Sequence, residues 1–287
     1  MNRTIVPALA AALAILGAGD CLNAQTTDPH TAQPERPTVA THAGTVAPGW
    51  LELEVGGEFD RYGDRSHGGF LPILAKIGLG ARAQLGLFES IVRPNGSETT
   101  GVGDLAAGVK WRFTDDAPLL GRFAVLPIVK FPTGSASTST GTTDVSLVAI
   151  SSHDLGPVSL DMNAGYIHRS ANGAAAPKDA TVWTVSFGGP AGGRLGWTAE
   201  LFGYPRTSGP AGSDAVVAVL FGPTLTIRPW LVLDAGAILP ASGPQPRAAY
   251  LGATYNVGHL GGQTARSRLD ARPRGCPARN GEAACAT

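Results

Sequence analysis

Gly101-Val102-Gly103-Asp104-Leu105-Ala106-Ala107-Gly108-Val109-Lys110-Trp111-Arg112-Phe113 is the stretch whose reading decides the fold. Leu105, Ala107, Val109, Trp111 and Phe113 recur at every second position, and Asp104, Ala106, Gly108, Lys110 and Arg112 fill the positions between. A period of two belongs to a β-strand, whose successive side chains point to opposite faces. One face is greasy and the other small or charged.

The pattern repeats on both sides of this stretch. Leu51, Leu53 and Val55 alternate with Glu52 and Glu54, Leu160, Met162 and Ala164 with Asp161 and Asn163, Leu195, Trp197, Ala199 and Leu201 with Thr198 and Glu200, and Leu231, Leu233 and Ala235 with Val232 and Asp234. Twelve segments of this kind are predicted, over 50–60, 70–79, 82–91, 102–113, 121–131, 142–152, 157–168, 180–188, 194–203, 214–227, 230–239 and 247–257. They cluster near ten residues, which suits transmembrane strands of about 9–11 residues better than soluble strands of about five or six.

The links alternate in length. Polar stretches around Arg61–Gly69, Val92–Gly101, Pro132–Thr143, Arg169–Ala180, Tyr204–Ser213 and Pro240–Pro246 are separated by tight turns at Gly80-Ala81, Ser152–Gly156, Gly189–Gly193 and Arg228-Pro229. Short turns on one side and longer loops on the other are the habit of outer-membrane barrels. Thr114–Leu120 is long for its place on the short side.

These readings give an all-β chain folded as an antiparallel transmembrane β-barrel of about 12 strands. A soluble sandwich or lipocalin-like barrel has the same period, but its closed core would bury Asp104, Lys110, Arg112, Asp144, Asp161 and Asp234 at several kcal/mol per unpaired ion. A wet lumen removes most of that cost. The inward set expected to line the pore is Glu52, Glu54, Lys76, Asp104, Lys110, Arg112, Lys130, Asp144, Asp161, Asn163, Glu200 and Asp234. The same charges would serve equally as a plug of salt bridges that narrows a small barrel.

Outside the barrel, Asn2 and Arg3, the apolar run Ile5–Ala18 and Leu22-Asn23-Ala24 read as a signal peptide over 1–24. Cys21 raises a lipoprotein alternative, which Asp20 in front of it fits poorly. Residues 25–48, rich in Thr, Pro, Ala and His, read as a disordered or extended leader, 49–258 as the barrel and 259–287 as a flexible periplasmic tail. Cys276 and Cys285 in that tail are a candidate disulfide in an oxidising compartment.

Lys and Arg total 22 against 22 Asp and Glu, so no basic face for nucleic acid is implied. No Gly-x-Ser-x-Gly elbow, His-Glu-x-x-His pair or phosphate loop is present, and no cofactor or metal is expected. His153 beside Asp154 reads as part of a solvated turn, and no Ser and His are recognised on one lipid-facing level as a barrel esterase would need. The chain is read as a non-enzyme.

Gly101-Val102-Gly103-Asp104-Leu105 with Gly108-Val109-Lys110-Trp111-Arg112-Phe113 resembles a hairpin of the meta-pathway phenol-degradation family of outer-membrane transporters. Leu126-Pro127-Ile128-Val129-Lys130-Phe131-Pro132-Thr133-Gly134, Gly141-Thr142-Thr143-Asp144 and Asn163-Ala164-Gly165-Tyr166 resemble its next strands and its Pro-Thr-Gly loop. The resemblance implies an outer-membrane channel, with the outer-membrane lipid and a small solute as its partners. The resulting expectation is passive passage of small, aromatic or apolar solutes. The alternatives are a barrel acting only as an anchor or adhesive surface, and a soluble periplasmic binding barrel.

Overall fold

The computed structural model describes residues 28–170, 177–206 and 214–261. The signal segment, the candidate disulfide and nearly all of the tail lie outside them.

The strands are β1 (Trp50–Arg61), β2 (His67–Gly80), β3 (Ala83–Arg93), β4 (Gly101–Val102), β5 (Ala106–Ala117), β6 (Gly121–Lys130), β7 (Asp144–Leu155), β8 (Val158–Arg169), β9 (Asp179–Gly192), β10 (Leu195–Tyr204), β11 (Val216–Arg228), β12 (Leu231–Ser242) and β13 (Arg247–His259). Each pairs antiparallel with its sequence neighbour, except that the two-residue β4 only caps the outer end of β3, which pairs on with β5. The ring closes where β1 pairs with β13, so the other twelve strands are the staves of a barrel. Closure leaves no sheet edge, which is what allows a sheet to sit in hydrocarbon.

Every predicted segment overlaps a stave, and β5 extends beyond its expected end. It runs to Ala117, so the link that looked too long is the tight turn 118–120. The short turns thus all lie at one end and the long loops at the other.

Side chains follow the predicted faces. Phe59, Phe113, Leu147, Leu195 and Leu251 stand outward and are more than half or nearly half exposed. Glu52, Glu54, Lys76, Lys110 and Glu200 stand inward and are buried. An apolar band this broad on a water-facing surface exceeds what soluble monomers carry, whereas lipid covers it at no cost.

The inner face departs from the prediction of small and charged residues. Toward the loop end it carries Phe202, Ala218, Leu220, Ile238, Ala248 and Tyr250, a buried apolar cluster, and a second cluster of Ala124, Leu126 and Ile150 with Phe88, Ile128 and Val148 packed against it. Strands apolar on both faces read as continuous runs. Val216-Val217-Ala218-Val219-Leu220-Phe221 is such a run and signals this second greasy face.

Candidate functional site: a segment inside the barrel

Residues 28–48 are not a free leader. They are extended, as four prolines (Pro29, Pro34, Pro37 and Pro48) favour, but they occupy the lumen. The proof is in their partners, which come from staves all round the ring: Asn256 on β13, Glu52 and Glu54 on β1, Lys76 on β2, Gln84 on β3, Lys110 on β5, Ser152 on β7, Asn163 on β8, Glu200 on β10 and Asp234 on β12. A strand of chain touching the inside of nine staves can only be within them.

The wall's own N–H and C=O groups are largely used in its ladder, so the segment satisfies most of its backbone on wall side chains, while Ala32 N donates to Pro229 O in a turn at 2.8 Å. Gln33 N donates to Glu52 at 2.8 Å, Glu35 N and Arg36 N to Glu54 at 2.8 and 3.1 Å, and Val39 N and Ala40 N to Glu200 at 2.8 and 2.7 Å. Thr41 N donates to Asn163 Oδ1 at 2.7 Å, Ala43 N to Ser152 Oγ at 2.8 Å and Val46 N to Gln84 Oε1 at 2.9 Å. At the turn end His30 lies against the rings of Trp50 and Trp230, and Gly49 N donates to Gly78 O where the chain leaves for β1.

Ion pairs fix the middle of the segment. Lys76 Nζ is 2.6 Å from Glu52 and 2.5 Å from Glu54, and Lys110 Nζ is 2.5 Å from Glu35. Arg36 reaches Asp234 at 3.3 Å while its guanidinium lies over Gly56 and Gly252, which face each other across β1 and β13. A Cβ on either glycine would fall within 2.1–2.4 Å of that group. Burial opposes the charge of Glu35, yet Lys110, Lys76 and His42 together hold its carboxyl well below the usual carboxylate range. Burial and the neighbouring Lys110 push His42 down to about 3, so it is neutral in place.

The expected inward residues therefore fall into three groups rather than one wall. Glu52, Glu54, Lys76, Lys110, Asn163, Glu200 and Asp234 bind the segment. Lys130, Asp104 and Asp144 meet at the loop end, with Lys130 Nζ 2.7 Å from Asp104 and 3.2 Å from Asp144. Asp104 also accepts from Gly134 N and Thr140 N and so pins the Gly134–Thr142 loop over the mouth; against its partial burial, Lys130 and these loop donors keep it ionised well below the usual range. Arg112 pairs with Asp115 at 2.8 Å at the turn end, and Asp161 accepts from Ser152 Oγ at 2.5 Å.

Residues 35–40 divide the lumen. On the turn side lies a polar cavity of about 710 Å³ lined by Arg112, Arg122, Asp161, Thr198 and Thr224. On the loop side lies a mainly apolar cavity of about 480 Å³ lined by Phe88, Leu126, Ile128, Val148, Ile238 and Tyr250, with Glu58, Asp104 and Asn163 also on its wall. The side chains of Glu35, Arg36, His42, Gln84, Ser152 and Asn256 were not picked out from the sequence. The only signal for them is an adjacent acid and base, Glu35-Arg36, inside a Pro-rich stretch whose other charge is Asp28, with polar residues at inward positions of the strands.

One pairing corrects the sequence reading. Ser151 Oγ and His153 Nε2 are 2.9 Å apart on the outward face of β7. Ser151 also donates to Leu120 O at 2.8 Å, and among the described residues no carboxylate or amide orients the other nitrogen of His153. The pair lacks the base-and-orienter geometry that activates a serine.

No protein-family model matches the chain, and no curated protein matches it. Among solved structures it is similar to the COG4313 outer membrane channel from Pseudomonas putida F1, at a TM-score of 0.56 and 13% identity over 74% of this chain and 97% of that one. It is also similar to the KdgM porin in complex with disordered oligogalacturonate, at a TM-score of 0.46 and 11% identity over 71% and 98%. At such identities what the first match shows is the fold: this chain has the architecture of an outer-membrane β-barrel.

Proposed function

We propose that the protein is an outer-membrane channel for small apolar or aromatic solutes, working by passive diffusion and without enzymatic activity. The observation that carries this reading is the apolar cavity at the loop end. It holds about 480 Å³, several times the roughly 150 Å³ that suffices to bind benzene in a protein interior. Its wall is mostly Leu, Ile, Val and Phe, which offer van der Waals contact to a ring, while Glu58, Asp104 and Asn163 on the same wall supply the few polar groups that orient a ligand.

Passage continues through the polar cavity below once residues 35–40 shift. The twelve inward residues named from the sequence line this route in our reading, seven of them by holding the segment that obstructs it. The words resembling the meta-pathway phenol-degradation family, and the channel in the name of the Pseudomonas barrel, point the same way. An anchor or adhesin has no use for a lumen with a fitted segment and an apolar chamber.

The test is uptake of a labelled monocyclic aromatic by cells that do or do not make the protein, with Leu126→Asn as a chamber variant. Faster uptake that falls in the variant supports the reading. Identical uptake with and without the protein overturns it.

A further inference from the structure

Arg61 stands directly opposite Arg247 on β13 and directly opposite His67 on β2, and Arg93 stands opposite Gly69, two residues along β2 from His67. All four side chains are exposed, and strand parity points them outward, since Glu58 and Asp60 take the inward positions of β1. Phe59 and Ile91, two residues nearer the middle, belong to the outward apolar band. The cluster thus sits just beyond that band at the long-loop end, at the height of lipid headgroups.

Like charges directly opposite on an antiparallel pair destabilise it. Arg61 and Arg247 nonetheless face each other, and neither takes part in any ion pair among the described residues. Arg93 donates only to Ser97 O. Arg65 adds a fourth guanidinium in the loop after β1, against Asp64, which is hydrogen-bonded to Ser66, and Glu98. Elsewhere at this end cations have carboxylates: Lys130 pairs with Asp104, and Arg206 with Asp214. An excess of guanidinium in one sector, with two of the arginines directly opposite each other on neighbouring strands, matches a phosphate monoester, whose oxygens accept forked N–H donors.

We propose that the outward face of β13, β1, β2 and β3 at the loop end binds the phosphorylated headgroup of a lipid in the leaflet at that end. Arg61 and Arg247 grip one phosphate, and Arg93 and Arg65 extend the cationic surface along the rim. The anion relieves the repulsion between the arginines and fixes the lipid beside one sector of the barrel.

The experiment titrates the full-length protein, in a zwitterionic detergent, with fluorescent lipid A. The Arg61→Gln, Arg247→Gln double variant should bind at least about tenfold more weakly, and Arg194→Gln at the turn end should bind as wild type does. Affinity should fall as salt rises. Inorganic phosphate at the same phosphate concentration should not compete, because the acyl chains lie along the apolar band. Equal binding by wild type and double variant overturns the proposal, as does salt-independent binding. Full competition by inorganic phosphate overturns the lipid as the ligand. If the double variant does not fold, as read by heat-modifiable gel mobility, Arg61→Lys replaces it. Loss of affinity in that variant, which keeps the charge and loses the fork, supports the proposal, and unchanged affinity contradicts it.

Discussion

Glu35, which precedes the first strand, places a carboxylate oxygen 2.5 Å from Nζ of Lys110 in the middle of β5. Both side chains are buried, and Lys76, held by Glu52 and Glu54, is the next cation along at 3.9 Å. Removing one partner of a buried pair leaves the other uncompensated, at about 3–5 kcal/mol in a fully dry site. Lys110→Met is therefore expected to loosen residues 33–46 while the staves stay closed. Hydrogen exchange in detergent would show this as faster exchange of the amides of Gln33, Val39, Ala40 and Thr41 with strand amides unchanged.

Acid should release the same segment. Docked, His42 takes a proton only at about 3, whereas free in water it would do so near 6.5, so protonation favours the undocked state throughout that window. Docking is whole above about pH 6.5 and is lost as pH falls; Glu35, held below its ordinary 4.5, adds a loss in the same direction at lower pH. A maleimide probe at Thr38→Cys should react faster at pH 5 than at pH 7.5, relative to an exposed control cysteine at Ser137. His42→Gln should flatten the difference between pH 6.5 and 4.5.

Gly252 lies beneath the guanidinium of Arg36, and a Cβ there would come within 2.4 Å of its Nε. The obstacle is the end of a flexible side chain, so Gly252→Ala should leave the barrel folded and push Arg36 off Asp234. The expected result is an unchanged unfolding midpoint together with faster hydrogen exchange of the Glu35 and Arg36 amides, which donate to Glu54 in the docked segment. A fall of the midpoint by more than a few degrees would mean that the strands themselves cannot take the methyl group.

Val109 faces lipid at the centre of β5, where a cation costs about 2–4 kcal/mol. Val109→Arg should fold poorly into vesicles and Val109→Leu should fold normally. Gly108, on the inner face, reads from the sequence as a position that tolerates serine, but a Cβ there would meet Pro127 O at 2.8 Å and Ile128 Cγ1 at 2.9 Å. Gly108→Ser should therefore also be destabilising, by about 1–3 kcal/mol as for other overpacked sites. Folding yield in lipid vesicles separates the three variants.

The barrel was legible because its signal is local: period two in segments near ten residues, with links alternating in length, places Val109 outward and Lys110 inward without any long-range knowledge. The lumen was less legible. Glu52, Lys110 and Glu200 are recognisable as inward charges, but nothing in their own strands says that their partners are backbone N–H groups and a carboxylate from residues 33–43. Composition marks 25–48 as a disordered or extended leader; it is silent on a segment, residues 28–48, most of whose long-range hydrogen bonds are supplied by a surrounding wall. The apolar chamber was missed because the inward residues of β11 and β12, such as Leu220 and Ile238, sit in runs where both faces are greasy and alternation vanishes.

The obstruction of the lumen by residues 28–48, held through Lys110, is tested most directly by single-channel conductance of Lys110→Glu in planar bilayers. The sequence alone suggests only a shift of ion preference toward cations from this reversal. With Glu35 2.5 Å away, the new carboxylate should also expel the segment, so that a folded barrel conducts several times more current than wild type, in a cation-preferring manner. A folded Lys110→Glu protein with the conductance and reversal potential of wild type would contradict the account.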